Sequence, residues 1–146
     1  MLTAVLLPWL HYVAVIMMAG TLMSELYLLK LRPDADTVRV LVRVDRIFGA
    51  SAIAVLATGL LRVPLAHGGK GLAFYLKNGA FHAALTLFAV GFAISVAQAV
   101  RLNRWRGVPA EADWRKTRMS VHAGLLIMVL LAATMPMMAR AVGSFQ

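Results

Sequence analysis

The chain has 146 residues, 61% hydrophobic and only 14% charged, and its mean hydropathy of +0.78 lies outside the usual range of soluble domains. The formal net charge of +9 would suggest nucleic acid in a soluble protein, but here the bases fall between long apolar runs, so membrane orientation and anionic lipid explain them better and nucleic acid is not an expected partner. Cysteine is absent, which excludes disulfides, thiolate metal sites and Cys-linked haem.

Four apolar stretches are expected to cross a bilayer, at about 20 residues per crossing. They run from Thr3 to Leu29, Ile47 to Ala66, Gly79 to Val100 and Met119 to Ala141. The first has no basic residue before it and no small-residue cleavage site after it, so a retained helix is expected, not a signal peptide. None shows the polar face of a soluble bundle helix, and only helices or a closed barrel satisfy their backbone in lipid. The predicted fold is an all-α, four-helix transmembrane bundle forming one integral membrane domain over residues 1–146.

Helix one carries His11, Val15, Met18, Leu22, Glu25 and Leu29 at helical spacing, which puts both titratable groups on one stripe. They lie about 21 Å apart along the axis and cannot touch. Gly20 and Ser24 form a small-xxx-small pair suited to close packing. Pro33 stops the helix, and Asp34 or Asp36 can cap the next. Arg39, Arg43 and Arg46 then share a face, which reads as a short cytoplasmic helical extension before helix two, or as a solvated charged face. Helix two is rich in small residues from Gly49 to Ala54 and reads as a central packing helix, with Arg62 near its outer end.

Pro64 and His67-Gly68-Gly69-Lys70-Gly71 make the outer turn; no Gly-Lys-Ser/Thr follows, so this is not a phosphate loop. Phe74 and Tyr75 suit the interface. Helix three opens at Asn78 and carries His82 near its outer end. The loop from Arg101 to Arg118 is the most basic segment, with Trp105 and Trp114 as expected interface anchors; helix four carries His122 near its inner end and Met135 and Met138 near its outer end. The two loops after helices one and three, with their flanks, hold eleven of the fifteen bases and are expected to face the cytoplasm. Both termini then face outward, and the expected location is a bacterial inner membrane, crossed several times.

Intramembrane ionisable groups are costly and usually face a bundle interior. His11 is the leading candidate, as a neutral imidazole ligand to haem or metal; His82 is the candidate second ligand, since two histidines on different helices can sandwich a haem. Met135 and Met138, with His11 or His82, offer an alternative soft site for copper as Cu(I). Glu25 is expected to pair with Arg43 or Arg46 in structural ion pairing, with Asp45 bonded to its helix neighbours and Arg62 reaching the surface; a proton-relay role for Glu25 is the minor alternative. His122 reads as structural and His67 as a solvated loop residue. No Ser/His/Asp spacing, nucleotide loop or metalloprotease motif supports hydrolysis.

Several strings carry a family resemblance: Leu10-His11-Tyr12-Val13-Ala14 with Thr21, Leu22 and Glu25; Asp45, Gly49 and Ala57-Thr58-Gly59-Leu60-Leu61-Arg62; Gly69-Lys70-Gly71 with Tyr75, Asn78, Phe81 and His82. Over nearly its whole length the chain resembles an uncharacterised family of bacterial four-helix membrane proteins, a domain of unknown function numbered twenty-two fourteen. That family is distantly similar to the CopD copper-resistance proteins and the HemJ-type protoporphyrinogen oxidases. In the HemJ type an early helix histidine is implicated in haem binding, a role the resemblance passes to His11. Those relatives often carry a lysine where this chain has Ala84, which bears on a HemJ-like oxidation more than on haem binding. The leading expectation is therefore a b-type haem protein for electron transfer or porphyrin oxidation. Copper binding or transport, and a non-enzymatic membrane scaffold subunit, are the alternatives. Membrane lipid is the expected partner, with a homo-oligomer left open and the redox partner unnamed.

Overall fold

The computed structural model describes residues 2–32, 34–64, 71–106 and 113–140, with side chains from Val5 onward. Pro33, His67 and the Gly68-Gly69-Lys70 part of the expected outer turn lie outside the described residues. The helices are α1 (Leu2–Leu28), α2 (Ala35–Arg62), the short α3 (Gly71–Leu76), α4 (Gly79–Trp105) and α5 (Trp114–Ala139). Helices three and four of the sequence are thus α4 and α5, while α3 had no strong periodic signal.

Short polar side chains start three of these helices by satisfying their free N–H groups. Asp34 accepts from the Thr37 N–H at 2.7 Å and opens α2. Asp36, the other candidate cap, instead pairs with Arg39 at 3.2 Å on the surface. Asn78 accepts from the N–H groups of Ala80 and Phe81 and opens α4; its amide also donates to the Met138 carbonyl at 3.4 Å, tying the start of α4 to the end of α5. Asp113 accepts from the Lys116 N–H at 3.0 Å and opens α5. Gly71 has φ of 70°, a left-handed conformation that a side chain would strain.

The four long helices alternate in direction and touch in the ring order α1, α2, α4, α5 and back to α1. Two antiparallel hairpins, α1/α2 and α4/α5, therefore face each other. One end of the bundle gathers His11, the end of α2 and the start of α4; the other gathers Glu25, the start of α2 and the end of α4. The stripe on α1 turns inward as expected: His11, Met18, Leu22, Glu25 and Leu29 are buried and Val15 is half-buried. The main core joins these to Val38, Leu41, Val42, Phe48, Ala52 and Val55 of α2 and to Leu102, Trp105 and Val121.

Large apolar side chains also cover the outside: Val5, Ile16 and Tyr27 of α1 and Val129 of α5 are each about two-thirds exposed or more. Such a surface is intolerable in water and ordinary in hydrocarbon. Three helical segments are long and apolar enough to cross a membrane: Val5–Leu28, Gly79–Trp105 and Trp114–Ala139. The expected second span is not among these three. α2 carries Asp36, Arg39, Arg43, Asp45 and Arg46 in its first half and ends at Arg62, so its uninterrupted apolar part is shorter than the roughly 20 residues of a full crossing.

The helical extension expected before Ile47 runs on into α2 as one continuous helix: Arg39, Arg43 and Arg46 face out while Thr37, Val38, Leu41, Val42 and Asp45 are buried. Two further expectations change. Gly20 and Ser24 face outward, with the Ser24 hydroxyl donating to the Gly20 carbonyl; within the chain the close approaches are made at Gly59, Gly91 and Gly124 instead. Trp105 is buried in the core and meets Trp114 edge-on at 6.1 Å, so this pair braces the bundle end; Trp114 Nε1 also donates to the Leu31 carbonyl at 3.3 Å.

Candidate functional site

A cavity of about 410 Å³ opens between all four long helices at the His11 end. His11, Tyr12, Val15 and Met18 line it from α1, Val55, Leu56, Gly59, Leu60 and Arg62 from α2, Phe81, Ala84, Leu85 and Phe88 from α4, and Met128, Leu131, Ala132, Met135 and Met138 from α5; Tyr75 of α3 completes the wall. A mostly apolar cleft of this size with a few polar groups is the usual form of a small-molecule or cofactor site. Tyr75 and Phe81 pack at 5.4 Å, so α3 extends the aromatic side of the cavity.

His11 is 7% exposed and is held by the neighbouring helix. Its Nδ1 lies 2.9 Å from Thr58 Oγ1, and that hydroxyl lies 2.6 Å from the Ala54 carbonyl and 3.2 Å from that of Val55. A hydroxyl has one proton, and the short Ala54 bond takes it, so Thr58 accepts and His11 Nδ1 donates. The neutral ring then keeps its free lone pair on Nε2, the tautomer a ligating histidine needs, with the other nitrogen oriented by a hydrogen bond. Gly59 makes room for the ring: a Cβ there would sit 3.3 Å from His11 Cε1.

The other sequence candidates divide. Met135 and Met138 line the cavity with His11, and so do Met18 and Met128. Arg62 lies on its wall rather than reaching only for the surface. The structure does not bring His82 to His11: its ring is exposed and Nε2 donates to the Leu76 carbonyl at 2.9 Å, closing the turn between α3 and α4. Helical phase explains this, since Phe81, Ala84, Leu85 and Phe88 share the face toward the cavity and His82 lies about 100° round the helix from Phe81. His122 is exposed, and its Nδ1 donates to the Arg118 carbonyl at 2.8 Å. Among the described residues no three His, Asp or Glu side chains converge; the cavity's donors are one imidazole and several thioethers.

The expected ion pair of Glu25 with Arg43 or Arg46 is also corrected. Both arginines are on the exposed face of α2, and the two buried carboxylates share an amide instead: Gln98 Nε2 donates to Glu25 Oε2 at 2.8 Å and to Asp45 Oδ1 at 3.2 Å. Asp45 thus bonds across the bundle, not to its own helix neighbours. Gln98, Thr58 and Tyr75 were not singled out from the sequence as site residues. An amide interrupting the apolar run of helix three was the available signal for Gln98; Thr58 was marked only as part of the Ala57-to-Arg62 string that carries the family resemblance.

The model of a family described as a predicted membrane protein, DUF2214, matches residues 3–143. No curated protein and no solved structure matches the chain.

Proposed function

The chain belongs to the DUF2214 family of predicted membrane proteins, and we propose that it is a multi-pass membrane protein whose cavity would hold b-type haem, with His11 as the residue that would bind its iron. The observation that carries this reading is the Thr58–His11 pair: a buried imidazole with Nδ1 fixed and Nε2 basic, on the wall of a large apolar cavity. The rest of the lining fits the group. Phe81, Phe88 and Tyr75 offer flat apolar surface, and Arg62 offers a cation for carboxylate side groups. Met128, Met135 and Met138 would offer a thioether to the same group, the part expected of His82. Bound there, haem supplies one-electron chemistry, for electron transfer or porphyrin oxidation.

In this reading α2 crosses the bilayer with the other three, since it packs against both α1 and α4 and the apolar side chains of its second half, such as Ile53 and Leu61, face outward. The basic loops face the cytoplasm, both termini face outward, and the cavity lies in the outer half of a bacterial inner membrane.

The protein, expressed with ample haem and purified in detergent, is expected to show a Soret band that shifts on reduction and disappears in His11→Ala. A colourless preparation overturns the haem reading. A specific observation favours a second one: four of the nine methionines line the cavity with His11, a soft donor set suited to Cu(I). Metal analysis separates the two, and copper content that survives Met135→Leu/Met138→Leu removes those side chains from the site. With neither haem nor copper, the bundle is a scaffold whose polar groups only hold it together.

A further inference from the structure

The Glu25 end of the bundle holds two carboxylates where packing leaves no room for two charges. Glu25 is fully buried and Asp45 is 5% exposed. One amide bridges them, and its two N–H protons are both used, on Glu25 Oε2 and Asp45 Oδ1. Glu25 Oε1 is buried with no hydrogen-bond partner.

Among the described residues, no Lys, Arg or His is ion-paired with either carboxylate. From α2, Asp45 faces Glu25, while Arg39, Arg43 and Arg46 are on the exposed side. From α4, Gln98 faces it; Arg101, one turn on, donates to Ser120 Oγ through one terminal nitrogen while its Nε is buried without a hydrogen-bond partner, and Arg104 is exposed. From α5, Arg118 donates to the Leu29 carbonyl, and His122 is exposed against the Arg118 carbonyl. Two carboxylates sharing a dry site cannot both ionise without a cation, so the pair takes up a proton. The unpartnered Glu25 Oε1 is the atom left to carry it.

We propose that Glu25 and Asp45, bridged by Gln98, form a buried proton-binding site that holds one proton between two carboxylates and exchanges it with water at the Glu25 end of the bundle. The ligand is the proton itself, and binding is a simple acid–base equilibrium of the pair. The site is about 21 Å along α1 from His11, so it stands whether or not the cavity holds a cofactor.

Infrared spectra of the detergent-purified protein across pH, in H2O and D2O, test this. The wild type is expected to show a protonated-carboxyl C=O band at neutral pH, shifted in D2O and titrating away under alkaline conditions. Asp34, Asp36 and Asp113 lie at helix starts, and the band is assigned by the two variants that follow. Glu25→Gln is expected to abolish the band. Asp45→Asn, which removes the like charge, is expected to move its titration to lower pH, and serves if Glu25→Gln does not fold. No such band in the wild type at neutral pH, or a band unchanged in both variants, overturns the proposal. So does a band displaced by sodium or calcium at fixed pH, which would make the pair a metal-cation site.

Discussion

The two ends of this bundle solve the same problem in opposite ways. Each holds polar groups from the buried stripe of α1, about four turns apart. At the Glu25 end the groups are locked across the two hairpins: Gln98 to Glu25 and Asp45, Arg118 to the Leu29 carbonyl, and Trp114 to the Leu31 carbonyl. At the His11 end, the polar bonds found among the described residues stay within a hairpin: His11 to Thr58 in α1/α2 and Asn78 to Met138 in α4/α5. One end is closed by hydrogen bonds and the other is hollow. In lipid, helices gain little from burying apolar surface against each other, so interhelical polar bonds weigh heavily in deciding where hairpins hold together. The difference leaves one end tied by polar bonds and the other with a cavity.

That contrast can be broken most directly at Gln98. Gln98→Leu leaves two buried carboxylates without a donor, and a loss of about 2–3 kcal/mol is expected in reversible unfolding in mixed micelles. Any pigment bound at His11 is expected to stay, because sites this far apart act independently. Loss of both together would show that the two ends are one unit. Thr58→Val removes the acceptor that orients His11, and is expected to weaken cofactor affinity about 10–100-fold with little change in fold stability. Titration of haem or Cu(I) into the apoprotein measures it. Gly59→Ala brings a Cβ to 3.3 Å from His11 Cε1, so the ring must shift slightly. A cost of about 1 kcal/mol and a displaced absorption band are expected, and an unaltered spectrum would place the cofactor away from this ring.

The smallest effect lies outside both ends, at the exposed cap of α2. Bonds from the Thr37 N–H and then its side chain hold the Asp34 carboxyl below its usual range. A lowered folded-state value means that this cap contributes fully above the unfolded value near 3.8 and is lost as pH falls through the lower folded one. Asp34→Asn, which still caps, is expected to flatten that part of the acid limb in thermal melts. An unchanged acid limb would mean that other groups set it.

Much of this was legible in the sequence because lipid makes polar residues conspicuous. The inward stripe of α1, the cap at Asp34, the start of α4 at Asn78 and the gathering of His11 with Met135 and Met138 follow from spacing and from the cost of burying polar groups. What was not legible depends on helical phase between elements. His82 and Phe81 are neighbours in sequence, yet one faces out and the other lines the cavity. Charge also misled: arginines near Glu25 along the chain suggested an ion pair, but they share the outer face of α2, and a neutral amide from α4 took that place. The small-residue pair on α1 likewise carried no information about which way it faced.

The placement of the bonds between hairpins has a mechanical consequence. Fastened near Gln98 and parted near His11, the two hairpins behave like the arms of a clothes peg, with the spring at one end and the jaws at the other. A bulky flat molecule arriving sideways from the bilayer would enter by splaying the jaws, and the spring would keep its register through every opening. The far end could then open without loosening the fastened one.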